Sequence, residues 1–392
     1  MMLLSLLLAC GHPLDSGDSD SGATAGWDFD DEAWLYGDRT LDFDIELDQA
    51  ALDALAAAPK DNVHATFSWE GESYDVGLHL KGSEAGSFRD LSKKASFKID
   101  FHEWNPDQRF HDVKRLTLNN MIQDGTMSHE HTVYWLMRDL GVPAPRHGYA
   151  RVTVNGELFG LYSLPESMDE QFINQGFPED DAGNLYEGGY GGDLKSGREA
   201  NFTLQEGDET TTADLTELIA AVQAAPANGA LPMIQANFEA DDLFHQWAVE
   251  LVAADIDGYS TAANNFLIYH APIAGRWSMI PWGPDQALET DQGLYIEESS
   301  FGGSIGELTR RCHADAACMD ALDAAITDVL TSWEGGAFYD FVDTETARIE
   351  ADCRADPRSE WGDYGCRDAQ AALRDWVRAR PAKVRAELGQ HD

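Results

Sequence analysis

The chain has 392 residues, enough for one large domain or two ordinary ones with a sizeable core. Apolar residues make up 43% and charged residues 25%, which excludes wholesale disorder and a polytopic membrane protein. The 27 Lys and Arg against 70 Asp and Glu give a formal charge of −43, which excludes a general affinity for nucleic acid or anionic lipid surfaces.

Residues 1–9 (MMLLSLLLA) form an apolar stretch of signal-peptide length, too short to span a bilayer, and end at Cys10. Leu7-Leu8-Ala9-Cys10 resembles a bacterial lipobox, which would leave a lipid anchor on Cys10 and tie the protein to a membrane. The n-region carries no basic residue, and a plain secretory signal or a frayed apolar terminus is the competing reading. Residues 11–26 are Ser, Gly and Asp with almost nothing to bury, the composition of a solvated tether.

Next come β-prone runs. Residues 66–69 and 73–80 are separated by Glu70-Gly71, a hairpin signal, and residues 95–101 and 113–118 extend the series. Residues 129–140 carry apolar side chains at helical spacing, with Asp124 and Ser128 upstream as caps and Gly141 past the end. Residues 149–154 and 158–164 flank Asn155-Gly156, a strong hairpin signal. The Gly-rich, polar residues 187–207 read as a loop or lid. Helices dominate from about residue 212 (212–225, 240–254 and the tail from 318), interrupted by a hairpin of 265–271 with 276–282. Cys312, Cys318, Cys353 and Cys366 cluster in the last quarter. In an exported chain they favour two disulfides, sequence neighbours suggesting Cys312 with Cys318 and Cys353 with Cys366 among three possible connectivities; a zinc site competes, without a CxxC pair to support it.

Two constellations carry chemistry. Residues 81–115 hold eight bases against six acids, whereas residues 1–80 hold two against seventeen. A local excess of cations in so acidic a chain attracts anions such as phosphates, and strand alternation puts Lys94, Ser96 and Lys98 on one face. The plainer alternative is a solvated strand face whose lysines offset nearby acids. The second constellation is Asp255, Asp257, Asn264 and Asn265 at the helix-to-hairpin junction, with Asp285 just after the hairpin. Magnesium typically takes one or two carboxylates plus substrate phosphates. An Asp, an Asn several residues later and a further Asp parallel the catalytic Asp, metal Asn and metal Asp of protein kinases. A helix-terminating turn at Asp257-Gly258 and a strand-entry turn at Asn264-Asn265 are the structural alternatives. Residues 302–306 match G-x-S-x-G without the buried strand that a nucleophile elbow needs, and His129-Glu130-His131 lacks the spacing of a zinc protease helix.

Seven stretches in order resemble the CotH kinase family, the spore coat protein H-like atypical protein kinases: residues 76–83 (VGLHLKGS), 93–101 (KKASFKIDF), 115–124 (RLTLNNMIQD), 140–166, 183–188 (GNLYEG), 255–270 (DIDGYSTAANNFLIYH) and 279–289 (MIPWGPDQALE). The likeness runs over roughly residues 40–301. It implies an α+β, atypical protein-kinase-like fold with a nucleotide cleft between two lobes; with the order of the expected elements this gives a sheet-rich N-lobe over 27–182, a helix-rich C-lobe with a metal-site hairpin over 183–310, and a helical C-terminal extension over 311–392.

The implied activity is transfer of the γ-phosphoryl of ATP, with Mg2+ or Mn2+, to Ser or Thr hydroxyls of surface or secreted proteins. Residue by residue, the resemblance makes Asp257 the base that orients the acceptor, and Lys94, also assigned a catalytic role, and Lys98 phosphate contacts supported by Lys81. Glu130 becomes the carboxylate that pairs with such a lysine, and Glu166 a nucleotide-site residue at the link between lobes. Asp285 with Asn264 or Asn265 would bind metal. Many family members read WD-x-D where this chain has Trp282-Gly283-Pro284-Asp285, so the first carboxylate is absent. The alternative is a weak or inactive kinase-like surface module that binds a protein or glycan partner. The expected location is the cell envelope, lipid-anchored at the outer membrane or periplasm, or the secreted fraction. The kinase reading requires the basic strand and the oxygen ligands to face each other across one cleft.

Overall fold

Alternation organises the first half of the chain. A computed structural model describes residues 33–83, 86–208 and 210–389; the expected signal, Cys10 and the tether over 11–26 lie outside them. A short helix α1 (Ala33–Tyr36) leads into β1 (Thr40–Glu46), where Leu41, Phe43 and Ile45 are buried and Asp42 and Asp44 exposed. Helix α2 (Gln49–Ala57), capped by the Asp48 carboxylate, precedes the expected hairpin of β2 (Val63–Trp69) and β3 (Glu72–Lys81). Then come β4 (Ser96–Asp100), β5 (Arg115–Leu118), helix α3 (His129–Asp139) and the hairpin of β6 (His147–Val154) and β7 (Glu157–Pro165), turned at Asn155-Gly156 as expected. These strands make one seven-stranded sheet in the order β5-β4-β3-β2-β1-β6-β7. Its β1–β6 contact is parallel.

Alternation also divides the faces of β3, β4 and β5. Leu78, Leu80, Phe97, Ile99, Leu116 and Leu118 are buried in the lobe's own core. Cross-strand partners Lys81 and Ser96, and His79, Lys98 and Thr117, share the opposite face.

After α4 (Glu170–Gly176) the chain forms a second sheet. The 187–207 segment is not a plain loop: β8 (Asn184–Gly188) pairs with β9 (Phe202–Glu206), and the irregular part between them is 189–201. Phe202 and Leu204 pack against the neighbouring core, which supplies the strand's apolar face despite its polar composition. Helices α5 (Ala213–Ala224), α6 (Ala230–Asn237), α7 (Ala240–Val252) and α8 (Tyr259–Ala262) come before the hairpin of β10 (Phe266–Ala271) and β11 (Arg276–Pro281). The second sheet runs β11-β10-β8-β9. Helices α9 (Glu307–His313), α10 (Ala316–Glu334), α11 (Ala337–Ala355) and α12 (Arg367–Leu388) complete the described chain.

The larger core takes Leu136 of α3, Trp247 of α7, Leu322 of α10 and Val377 of α12 together. The segment after residue 311, read from sequence as an extension, thus packs into the same core as α7. Disulfides join Cys312 to Cys318 and Cys353 to Cys366, with Cα separations of 5.1 and 5.7 Å. Among the described residues no helix is long and apolar enough to cross a membrane.

Candidate functional site

One wall of the site begins at the last residue of β3. The Lys81 ammonium donates to Asn119 Oδ1, and Asn119 Nδ2 donates in turn to the Glu130 carboxylate at 3.1 and 3.2 Å. Glu130, in the first turn of α3, is buried and also receives the Ser163 hydroxyl. Asp124 fixes the start of that helix by accepting from His129 N at 2.8 Å, while Ser128 makes no side-chain cap. Lys81 therefore reaches its carboxylate through an amide. Burial, with the nearby Lys98 charge, pulls its pKa down to about 8 against the pull of Glu130, Glu187 and Asp285. The ammonium stands 5.4 Å from the centroid of the Trp282 ring on the other wall.

That second wall is built from two turns. After α7, Asp255 Oδ1 accepts from Asp257 N at 3.0 Å, and the Thr261 hydroxyl donates to the Asp255 carbonyl at 2.7 Å. Left-handed backbone at Ala263 and Asn265 (φ 51° and 52°) then turns the chain back. Asn264 Nδ2 reaches Asp257 Oδ1 at 2.9 Å, and Asn265 Nδ2 reaches Asp257 Oδ2 at 3.0 Å. Gln286 Nε2 adds a third amide donor at 3.1 Å, coming from the segment that follows β11. Burial raises the Asp257 pKa while these three amides oppose the shift.

Asp285 lies on the same segment, its carbonyl 3.1 Å from His129 Nδ1. Its carboxyl is held well above the usual range by burial and by the like charges of Glu130, Asp124 and Asp257, with Lys81 opposing. Gly283 has φ +55°, and a Cβ there would meet nothing nearer than the Asn265 carboxamide at 3.9 Å. Its N–H donates to the Tyr134 hydroxyl at 2.8 Å, which ties this segment to α3.

Between the walls is a cavity of about 790 Å3, lined by Lys81, Ser96 and Asn119 on one side and by Asp257, Asn264, Asn265, Asp285 and Gln286 on the other. The 189–201 connection contributes Tyr190, Asp193, Lys195 and Arg198. The volume lies within the range of small-molecule sites. Among the described residues no group of three or more His, Cys, Asp or Glu stands close enough to hold a metal ion. The donors facing the cavity are the Asp285 carboxylate and the carboxamide oxygens of Asn264 and Asn265, a hard oxygen set that fits a magnesium-type ion completed by ligand phosphates.

The residues singled out from sequence divide as follows. Lys81, Asp257, Asn264, Asn265 and Asp285 meet at the cavity. Lys98 lies on the cavity-facing side of the sheet but outside the lining, where burial and Arg115 pull its pKa down while Glu187, Asp169 and Asp100 oppose the shift. Lys94 is a correction: it precedes β4 rather than sharing its alternation, its side chain is wholly buried, and its ammonium is 2.5 Å from Asp356 Oδ2. Glu166 is another: its carboxylate is taken by Arg146 Nη2 at 2.5 Å and Arg146 Nε at 3.1 Å, outside the cavity lining. Glu130 meets a lysine only through Asn119, a residue the sequence reading left out along with Gln286 and Tyr134. The pair Asn119-Asn120 at the end of an expected strand was the available signal for the first of these.

The CotH kinase protein family matches residues 78–384. The inner spore coat protein H of Bacillus subtilis (strain 168) is 21% identical over 240 residues, 59% of this chain and 64% of that protein, so the chain spans less than two thirds of that relative's length. Two solved structures show a distant likeness. The Helicobacter pylori proinflammatory kinase CtkA has a TM-score of 0.38 at 9% identity, covering 80% of this chain and 95% of that one. A structure of the Shewanella oneidensis MR-1 toxin–antitoxin system HipA, HipB and its operator DNA has a TM-score of 0.31 at 12% identity, covering 82% and 68%.

Proposed function

The chain belongs to the CotH kinase protein family, and from that premise we propose that it transfers the γ-phosphoryl group of ATP to Ser or Thr hydroxyls of exported or surface proteins. The observation that carries the reading is a single cavity with Lys81 on one wall and Asp257, Asn264, Asn265 and Asp285 on the other. Lys81 would receive phosphate oxygens, held by Asn119 and, through it, by Glu130. Asp285 and the carboxamide oxygens of Asn264 and Asn265 would hold a divalent cation, which when bound offsets phosphate charge. Asp257, fixed by three amide N–H groups, would accept a hydrogen bond from the acceptor hydroxyl and orient it. The two disulfides support an oxidising compartment. Together with the apolar residues 1–9 and Cys10 they support export and lipid anchoring in the cell envelope.

Calorimetric titration of ATP with Mg2+ or Mn2+ tests binding, and phosphate transfer to the protein itself or to envelope proteins tests chemistry. Binding that disappears in Asp285→Asn and transfer that disappears in Asp257→Asn are the expected results; wild-type protein that binds no nucleotide with either cation refutes the reading. Gly283, standing where many family members carry a carboxylate, favours a second reading, a kinase-like module that binds a surface protein or glycan without chemistry. In that case a cell-surface phenotype survives both substitutions.

A further inference from the structure

Residues 354–365 are closed into a ring by the Cys353–Cys366 disulfide, and four of their side chains hold the sheet lobe. Asp356 Oδ2 receives the Lys94 ammonium at 2.5 Å and Leu161 N–H at 3.0 Å. Its carboxylate fills the space over Gly160, where a Cβ would lie 2.2 Å from Oδ1. Arg358 donates to the carbonyls of Leu91 (3.0 Å) and Lys93 (2.7 Å), with its guanidinium 3.6 Å from the centroid of the Phe159 ring. Glu360 takes Arg89 in two bonds of 2.6 and 2.7 Å. Trp361 Nε1 donates to the Ile122 carbonyl at 3.1 Å, and Cys366 N–H donates to the Gly125 carbonyl at 2.7 Å.

The parts held in this way are residues 86–95 and 119–125. Gly86 and Ser87 of the first, with Asn119, Asn120 and Gln123 of the second, line the cavity. Asn120 ties the two together, its Nδ2 donating to the carbonyls of Ser87 at 3.0 Å and Lys94 at 2.8 Å. Residues 86–95 have no strand partner, so fixing them costs backbone entropy that no sheet ladder offsets. A ring already shortened by its disulfide can hold them in place before any ligand arrives.

We propose that this disulfide ring is a clasp that positions the sheet-side wall of the cleft, with Asp356, Arg358 and Glu360 as positioning residues for the phosphates that Lys81 faces. The positioning role rests on the nucleotide reading above; the clasp itself does not. The test uses the full chain and three variants: Arg358→Gln, Glu360→Gln and the double Cys353→Ser/Cys366→Ser. Hydrogen–deuterium exchange without nucleotide is expected to quicken about tenfold over residues 86–95 and 119–125 while β10 and β11 exchange as in wild type. The dissociation constant for ATP with Mg2+ is expected to rise about tenfold. Should the cysteine variant not fold, the two single variants decide. Wild-type exchange in both single variants overturns the clasp, and faster exchange with unchanged nucleotide affinity overturns the positioning role. Wild-type protein that binds no nucleotide also overturns that role, and the exchange measurement then judges the clasp alone.

Discussion

Lys81 and Lys94 are thirteen positions apart in one basic stretch, and the fold uses them in opposite ways. Lys94 is sealed from solvent against the Asp356 carboxylate. Lys81 lines the cavity and reaches Glu130 only through the Asn119 amide. A buried lysine paired directly with a carboxylate, and packed 5.2 Å from the centroid of Tyr162, has its charge committed to the fold. A lysine held through a neutral amide keeps its charge uncancelled and directed at the cleft, where an incoming anion can answer it.

The comparison breaks most severely at the direct pair. Lys94→Ala leaves the Asp356 carboxylate buried without its cation and is expected to cost about 3–5 kcal/mol of stability, read as a lower urea midpoint at unchanged m-value. Lys81→Met is expected to reverse the pattern: phosphate transfer falls by about 10²–10³-fold with a much smaller change in the same midpoint. Equal loss of stability in both variants would erase the distinction.

The pH dependence sharpens it. The folded pKa of Lys81 is lowered from 10.5 to about 8, so its positive charge is present below pH 8 and lost as the pH rises through it. Nucleotide affinity is expected to fall on that alkaline side, by at most about tenfold per pH unit. Lys81→Arg, which stays charged, should remove this limb; a limb that persists in the variant would assign it to another group. The smallest effect is expected at Gly283→Asp. Its left-handed backbone costs an L-residue roughly 1–2 kcal/mol, less for Asp than for most. A second carboxylate beside Asn265 should tighten Mn2+ binding about threefold in titrations, and unchanged affinity would show that position 283 points away from the cation.

Much of the fold could be read from patterns a few residues long. Asn155-Gly156 and Glu70-Gly71 marked their hairpins, and the helical spacing of Val133, Leu136 and Met137 marked α3. The oxygen-ligand wall was legible because Asp257, Asn264 and Asn265 are joined by a local turn. The lysine wall was less so. Extending strand alternation back to Lys94 failed because β4 starts at Ser96, and the partner of Lys94 lies 262 residues away. Glu166, expected at the nucleotide site, is instead engaged by Arg146, which the β6–β7 hairpin brings to it at its open end. Asn119 and Gln286 make their contacts through tertiary structure, and residue type alone carries no sign of them.

Competitive acylation of lysines, read by mass spectrometry with and without saturating ATP and Mg2+, tests the central claim most directly. Lys81, at the cleft with its lowered pKa, is expected to react in the free protein and to be protected by nucleotide, while Lys94 stays unlabelled in both states. Labelling of Lys81 that ignores nucleotide, or protection that falls on Lys94 instead, would contradict the account.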